Sequence, residues 1–284
     1  MTEAPAFSPA ELVAAGARRL AAAGIEQPRR EASRLWVAVG GRPAALPDAA
    51  DALDAGARNT AFDRAVARRA SGEPLAHVAG VAGFRHFELV SDRRALIPRP
   101  ETEGLVELVL ARAGSGVVAD IGTGTGCIAL SLAAEGSYRR VIGVDRSADA
   151  LALAAENVRR TSVEVTLIRG DLATALGAGS VDALVSNPPY LSDAEYADLD
   201  RSVKDWEPGL ALVSGPDGLD ATARLLDDGR RVMRPGGWLA LEVDCSRAAE
   251  AGRRASALGW NDVAVFNDPF GRERYLLARR SEAS

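Results

Sequence analysis

Two consecutive prolines, Pro188 and Pro189, follow the apolar run Val181-Asp182-Ala183-Leu184-Val185-Ser186 and fix where it must stop. The run has the near-continuous apolar character of a strand buried on both faces, as in a parallel sheet. Neither proline can donate to a β-ladder, so the chain has to leave the sheet after Ser186. In open α/β sheets, ligands bind at the carboxyl ends of the strands. The exit reads Asn187-Pro188-Pro189-Tyr190. A rigid turn carrying an amide, backbone carbonyls and an aromatic face suits a planar group that bears an NH2. A proline-rich strand exit without chemistry is the plain alternative.

From about Glu101 onward, strand-like and helical runs alternate. Strand-like runs are Val117 to Asp120, Val141 to Asp145, Val163 to Ile168, Val181 to Ser186 and Trp238 to Val243. Helical stretches lie after Gly126, from about Ala148 to Arg160, and near Leu219 to Met233. This alternation predicts an α/β fold with a mostly parallel sheet and helices on both faces. Val263 to Phe266 and Tyr275 to Ala278 stand close enough to pair as a hairpin, giving seven strands.

Residues from about Ser8 to Ala70 are instead Ala-, Leu- and Arg-rich at helical spacing. Ser8-Pro9-Ala10-Glu11 offers an N-cap, a proline at the first helical position and an acid at the third. Pro28, Gly40-Gly41 and Pro47 divide the stretch into short helices. A helical recognition domain is expected over 1–80. Around a polar centre, Ser91-Asp92-Arg93-Arg94, lie Phe84, Phe87, Leu89 and Leu96-Ile97, which predicts a β-hairpin linker over 81–100. The α/β domain then occupies 101–284.

Asp120-Ile121-Gly122-Thr123-Gly124-Thr125-Gly126 follows the first strand of that domain and opens a helix. Its glycines let a ligand approach the backbone and leave the helix N-terminus open. A dinucleotide loop, G-x-G-x-x-G, would need glycine where Cys127 stands. The loop as written, with an acid just before it, favours a sulfonium cofactor, S-adenosylmethionine, over a pyrophosphate. Asp145, about twenty residues on, is placed to accept from both ribose hydroxyls; a helix cap is the alternative, a role Ser147 can fill. Asp171 can accept from an adenine amine with Leu172 against the ring, or serve as a plain turn residue. Asp120 either orients the cofactor's amino group or braces the loop.

A length of 284 residues, 47% hydrophobic and 26% charged, fits one large and one small globular domain. The net charge of −5 lacks the footprint of a protein that grips long nucleic acid, and no direct nucleic-acid binding is expected. Cys127 and Cys245 fall in no CxxC spacing, so neither a structural metal nor an oxidising compartment is expected. Met1-Thr2-Glu3-Ala4 opens no secretory signal, and no stretch approaches the roughly 20 apolar residues of a membrane span. The expected setting is the cytoplasm.

With these residues together, the chain resembles the release-factor glutamine methyltransferase (PrmC/HemK-like) family. The resemblance runs from about Arg68 to Ala278. It rests on Gly72-Glu73-Pro74-Leu75-Ala76-His77, Leu96-Ile97-Pro98-Arg99-Pro100-Glu101-Thr102-Glu103, the glycine loop, Asn187-Pro188-Pro189-Tyr190, and Glu207-Pro208 followed by Ala211-Leu212. It implies a Rossmann-like class I methyltransferase domain behind a helical domain and a hairpin linker. It implies methyl transfer from S-adenosyl-L-methionine to the side-chain nitrogen (N5) of the glutamine in the Gly-Gly-Gln motif of class I peptide chain release factors, by a monomer. On that reading the cofactor contacts are Gly122, Thr123, Gly124, Thr125, Gly126, Asp145, Asp171, Leu172 and Asn187. Asn187 and the Pro188 carbonyl accept from the substrate NH2, within the motif completed by Pro189, and Tyr190 stacks on the amide plane. The same chemistry on a ribosomal-protein glutamine, or adenine-N6 methylation, are the alternatives. The family has an acid, any residue and glycine after the fifth strand, where this chain has Glu242-Val243-Asp244; that stretch is read as lying outside the catalytic motif. His77 and His86 are read as structural or linker residues, and Phe84 as hinge packing.

Overall fold

The computed structural model describes residues 8–40 and 55–282; the breaks expected at Gly41 and Pro47, and Met1-Thr2-Glu3-Ala4, lie outside them. The chain divides into two compact units, Met1–Val81 and Ala82–Ser284. In the first, α1 (Pro9–Ala22), α2 (Pro28–Ala38), α3 (Ala55–Ala70) and α4 (Leu75–Ala79) enclose Leu20, Leu35, Trp36, Phe62 and Val66. Ser8 caps α1 in a reciprocal box with Glu11, as its spacing predicts. Gly16 lets α1 lie close on α3: a Cβ there would fall 2.7 Å from the Phe62 ring.

The hairpin of β1 (Val81–Phe84) and β2 (Phe87–Val90) leads into the second unit. Its turn is Arg85-His86, not the polar centre at 91–94 that the sequence pattern points to. Arg85 takes a left-handed φ of 49°, and its guanidinium is held by Glu135 at 2.7 Å and its amide by Glu103 at 3.0 Å. Phe84 is buried in the core with Leu89 and Leu105. There follow α5 (Pro100–Arg112), β3 (Ser115–Ile121), α6 (Cys127–Glu135), β4 (Ser137–Asp145), α7 (Ala148–Thr161), β5 (Thr166–Arg169) and β6 (Val181–Ser186). Then come α8 (Asp193–Asp198), α9 (Arg201–Lys204), α10 (Asp220–Val232), β7 (Met233–Glu242), α11 (Ala248–Ala257), β8 (Asn261–Asn267) and β9 (Glu273–Arg279).

The seven strands β3 to β9 form one sheet in the order β5-β4-β3-β6-β7-β9-β8. All neighbours are parallel except β9, which runs antiparallel to both β7 and β8. The chain winds outward from β3 to β5, then returns to start β6 on the other side of β3. That reversal is a topological switch point, and it opens a crevice at the carboxyl ends of β3 and β6. Apolar side chains cover both sheet faces, with Ile121, Leu184 and Leu239 in one layer and Val118, Val185 and Leu277 in the other. Among the described residues no helix is long and apolar enough to cross a membrane.

Asn157 of α7, fully buried, joins the hairpin to the glycine loop. Its Oδ1 accepts from the Val90 amide at 2.7 Å, and its Nδ2 donates to the carbonyls of Val90 at 3.1 Å and Thr125 at 2.9 Å. Asn157→Ala strands these groups without partners, and each orphaned buried group costs about 1–3 kcal/mol. The unfolding transition of the second unit in urea should lose about 3 kcal/mol; a loss under about 1 kcal/mol would show that the hairpin holds the loop by other means.

Candidate active site

The site begins with sheet register. Ile121 at the end of β3 pairs with Val144 of β4 and with Ser186 of β6, and Ser186 pairs with Leu241 of β7. The next residue on each strand, Gly122, Asp145, Asn187 and Glu242, therefore emerges at one level of the sheet. The Ser186 hydroxyl donates to the Ile121 carbonyl at 2.6 Å and ties the two central exits together.

The glycine loop hangs from this edge by its backbone. Gly122 and Thr123 donate to the Val144 carbonyl at 2.8 and 3.0 Å, and Gly126 donates to Thr123 at 2.7 Å. Gly122, Gly124 and Gly126 have φ of 73°, 55° and 84°, conformations costly for residues with a Cβ. A Cβ on Gly122 would meet no atom within 4 Å, so backbone conformation, and not crowding, demands glycine there. Of the two roles considered for Asp120, bracing has contacts in the structure. Its Oδ2 accepts from the Thr123 hydroxyl at 2.6 Å and the Ala129 amide at 3.1 Å. Its Oδ1 is buried without a partner among the described residues, and burial pushes the carboxyl up to about 7.

Asp145 spans the loop and the start of α7. One oxygen accepts from the Gly124 amide and the other from the Ser147 amide, both at 2.9 Å. Ser147 itself caps α7 through the Ala150 amide, so the helix does not depend on Asp145 for its cap. Asp171 already holds a cation, Arg224, at 2.6 Å, with both side chains about half exposed. Leu172 follows with a left-handed φ of 49°, a strain of order 1–3 kcal/mol in a non-glycine residue. Gly122 to Thr125, Asp145, Asp171 and Leu172 line one cleft of about 310 Å³ together with Asn187 and Pro189, whereas Gly126, expected among the cofactor contacts, does not line it.

Of the Asn-Pro-Pro-Tyr motif, Asn187 and Pro189 face the cleft, Pro188 is buried, and half-buried Tyr190 lies outside the lining. Burial lifts the Tyr190 phenol to about 12, with the charge of Glu242 adding to it. The Asn187 Nδ2 donates to the Thr102 hydroxyl at 3.0 Å, and that hydroxyl donates to Glu242 Oε2 at 2.8 Å. Asn187 Oδ1 accepts from no described residue. Thr102 and Glu242 are buried, and burial raises the Glu242 carboxyl to about 7. Sequence reasoning placed residues 242–244 outside the motif; Glu242 stands two hydrogen bonds from its first residue. Residue 244, where the family pattern has glycine, has no positive φ, so the turn accommodates Asp244, which accepts from the Ser246 amide at 2.9 Å.

Residues 94–99 and 208–215 also line the cleft, and Ala95 lies against the glycine loop, 3.7 Å from where a Cβ on Gly124 would sit. Arg99 grips Glu207 with two contacts of 2.7 and 2.9 Å, and the Glu207 side chain is only 2% exposed. Arg93 lies 4.0 Å over the Trp206 ring. After Tyr190 the chain joins residues 208–215 through Leu191, which exchanges backbone bonds with Leu212 and Ser214. Neither histidine lines the cleft: His77 is buried in the first unit, and His86 is exposed beside Glu135.

The donor set fits the cofactor the sequence points to. A positively charged sulfonium with an amino acid tail and a nucleoside needs backbone donors, carboxylates and an apolar face, without a phosphate cradle. The cleft offers the glycine loop, Asp145 and Asp171, and Ile97, Ile128 and Leu172 as apolar walls.

Comparison with known proteins is consistent with both units. The family model for the PrmC N-terminal domain matches residues 11–80, and that for the methyltransferase small domain matches residues 101–202. A release factor glutamine methyltransferase of Nitratidesulfovibrio vulgaris is 42% identical over 227 residues, covering 78% of this chain and 77% of that protein. Its counterpart in Moorella thermoacetica is 41% identical over 273 residues, 93% of this chain and 96% of that protein. Among solved structures, a methyltransferase from Pyrococcus furiosus superposes with a TM-score of 0.52 at 20% identity, covering 68% of this chain and 89% of that one; this similarity bears on the fold.

Asp145→Ala should weaken S-adenosyl-L-methionine binding about ten- to hundredfold, since hydrogen bonds to charged groups are worth about 1.5–3 kcal/mol. The substitution also frees the Gly124 amide, so loop shape and direct contact fail together. Calorimetric titration giving an unchanged Kd would return Asp145 to a purely structural role.

Proposed function

This chain belongs to the release factor glutamine methyltransferase family, and from that premise we propose that it methylates N5 of the glutamine in the Gly-Gly-Gln motif of class I peptide chain release factors. The cofactor is S-adenosyl-L-methionine, which when bound supplies a methyl group on a positively charged sulfur. The observation that carries the substrate reading is the state of Asn187. Its NH2 is committed to Thr102, which leaves its carbonyl oxygen as an acceptor on the cleft wall, one strand away from the glycine loop.

A primary amide nitrogen is a weak nucleophile because its lone pair is shared with the carbonyl. Asn187 Oδ1 accepts from one N–H group of the glutamine amide, while Pro188, expected from the motif to supply a second acceptor, is buried and does not line the cleft. Holding the nitrogen by its N–H draws electron density onto it; with the cofactor bound, the new carbon–nitrogen bond would form as the carbon–sulfur bond breaks, the sulfur would leave neutral, and the nitrogen would give up one N–H proton. Pro189 walls the amide, and Tyr190 excludes water from behind. Catalysis then comes mainly from placement and preorganised dipoles. The helices over 1–80 dock the release factor, because one inserted side chain offers little binding area for so large a substrate. The reaction belongs in the cytoplasm, where release factors work.

Asn187→Ala should lower single-turnover methyl transfer about 10²–10³-fold while cofactor affinity stays within a few-fold, as for loss of one aligned dipole. Mass spectrometry of release factor after incubation with the wild-type enzyme should place the methyl on the Gly-Gly-Gln glutamine. Methyl found on a ribosomal protein or on adenine instead would overturn the substrate assignment.

Removing residues 1–80 should depress kcat/KM on intact release factor far more than on a short Gly-Gly-Gln peptide. Equal losses on both substrates would assign those helices to bracing the catalytic unit.

A further inference from the structure

The segment Pro100-Glu101-Thr102-Glu103 begins α5, outside both the glycine loop and the Asn-Pro-Pro-Tyr turn, and has no part in the mechanism above. Its Thr102 nonetheless stands between Asn187 and Glu242, in a chain of contacts of 3.0 and 2.8 Å that crosses from β6 to α5 to β7. We infer that Thr102 and Glu242 are positioning residues that hold the Asn187 amide in the one orientation able to receive the substrate nitrogen. The inference rests on the proposed role of Asn187.

Polarity carries it. An asparagine amide has two ends of nearly the same shape, one a donor and one an acceptor. Rotation by half a turn would present NH2 to the cleft, and NH2 repels the N–H groups of an incoming amide. Something buried must therefore choose between the two. An ionised carboxylate only accepts, so Glu242 claims the single hydroxyl proton of Thr102. The Thr102 oxygen then has only lone pairs to offer, and the Asn187 group facing it has to be the NH2. Oδ1 is thereby directed into the cleft. A protonated Glu242 can donate to Thr102 instead, which frees the hydroxyl proton for Asn187 Oδ1 and allows the amide to reverse.

The setting suits such a device. Thr102 is 2% exposed and Glu242 1% exposed, so water does not compete for these bonds. The groups that face Glu242 are Arg274 and Tyr275 of β9, Asp268 in the turn before it, Glu101 of α5, Tyr190 after β6 and Cys127 at the start of α6. Burial opposes the ionised form most, the Thr102 hydrogen bond and Arg274 favour it, and Glu101 and Asp268 oppose it, which brings the titration to about 7.

The test compares Thr102→Val, Thr102→Ser and Glu242→Gln in the full chain, with a Gly-Gly-Gln peptide and saturating S-adenosyl-L-methionine. Thr102→Val keeps the shape and removes the relay; kcat should fall about 10–100-fold, the range for a lost buried hydrogen bond. Cofactor Kd and peptide KM should stay within a few-fold, and Thr102→Ser should recover most of the rate. In the wild type, kcat should fall as pH drops through about 7, where Glu242 gains its proton. Glu242→Gln carries no charge to titrate, so that fall should vanish and the rate should sit below wild type at pH 8. Thr102→Val turning over like the wild type, while Asn187→Ala is inactive, overturns the inference alone. Asn187→Ala turning over normally overturns the reading beneath it. If Thr102→Val does not fold, judged by circular dichroism, Glu242→Gln decides: wild-type rate with a wild-type pH profile overturns the relay.

Discussion

The site depends on one register, that of β3 against β6. Because Ile121 pairs with Ser186, the glycine loop and the Asn-Pro-Pro-Tyr turn leave the sheet side by side. A shift of one residue would turn Asn187 to the opposite face of its strand. Buried side chains on both faces forbid that shift, since Leu184 packs in one layer and Val185 in the other. The Ser186 hydroxyl bound to the Ile121 carbonyl adds a second lock at the edge itself. The glycine loop and the Asn-Pro-Pro-Tyr turn are thus placed by the packing of a strand of six residues.

That strand was fully legible in the sequence, with the bounds the prolines impose. Its neighbours were legible in kind and less so in extent. The apolar stretch from Val163 predicts a strand, yet β5 begins at Thr166, because Val163 and Val165 pack against the core while ladder pairing starts at Ile142 with Thr166. Trp238 to Glu242 is the second half of β7, with Val243 just past its end; the strand reaches back to Met233 through Arg234-Pro235-Gly236-Gly237, a stretch that reads as a turn. The late hairpin pairs as expected. Its insertion with β9 beside β7 is set by contacts between distant residues, Glu242 with Tyr275 among them, and leaves no local mark.

What the sequence concealed was polar and long-range. The hairpin turn falls on Arg85, which carries no glycine signal; it is held by Glu103 and Glu135, residues 18 and 50 positions away. Thr102 and Glu242 lie 140 residues apart and meet only because α5 packs on β7. A motif search finds residues that neighbour one another in the chain. It finds Asn187 and overlooks the two residues that decide which way its amide faces.

Those residues also set stability against function. Glu242 and Asp120 are both lifted to about 7 by burial beneath the cleft. The folded state therefore binds their protons more tightly than the unfolded chain does. Their contribution to folding is full below the ordinary carboxylate range and is lost as pH rises toward 7, by order 3 kcal/mol for Glu242. Glu195 moves the other way: its capping bonds to Ser192 and its pairing with Arg247 hold it at about 2. Its contribution is present at neutral pH and lost only in acid. The contribution of Glu242 to folding is therefore greatest in acid, while the orientation of Asn187 needs Glu242 ionised. An apolar residue at 242 would relieve the buried charge and release the amide that the charge orients. Retaining the carboxylate there costs stability at neutral pH, and the cost falls at the site of chemistry, where such conflicts between folding and activity concentrate.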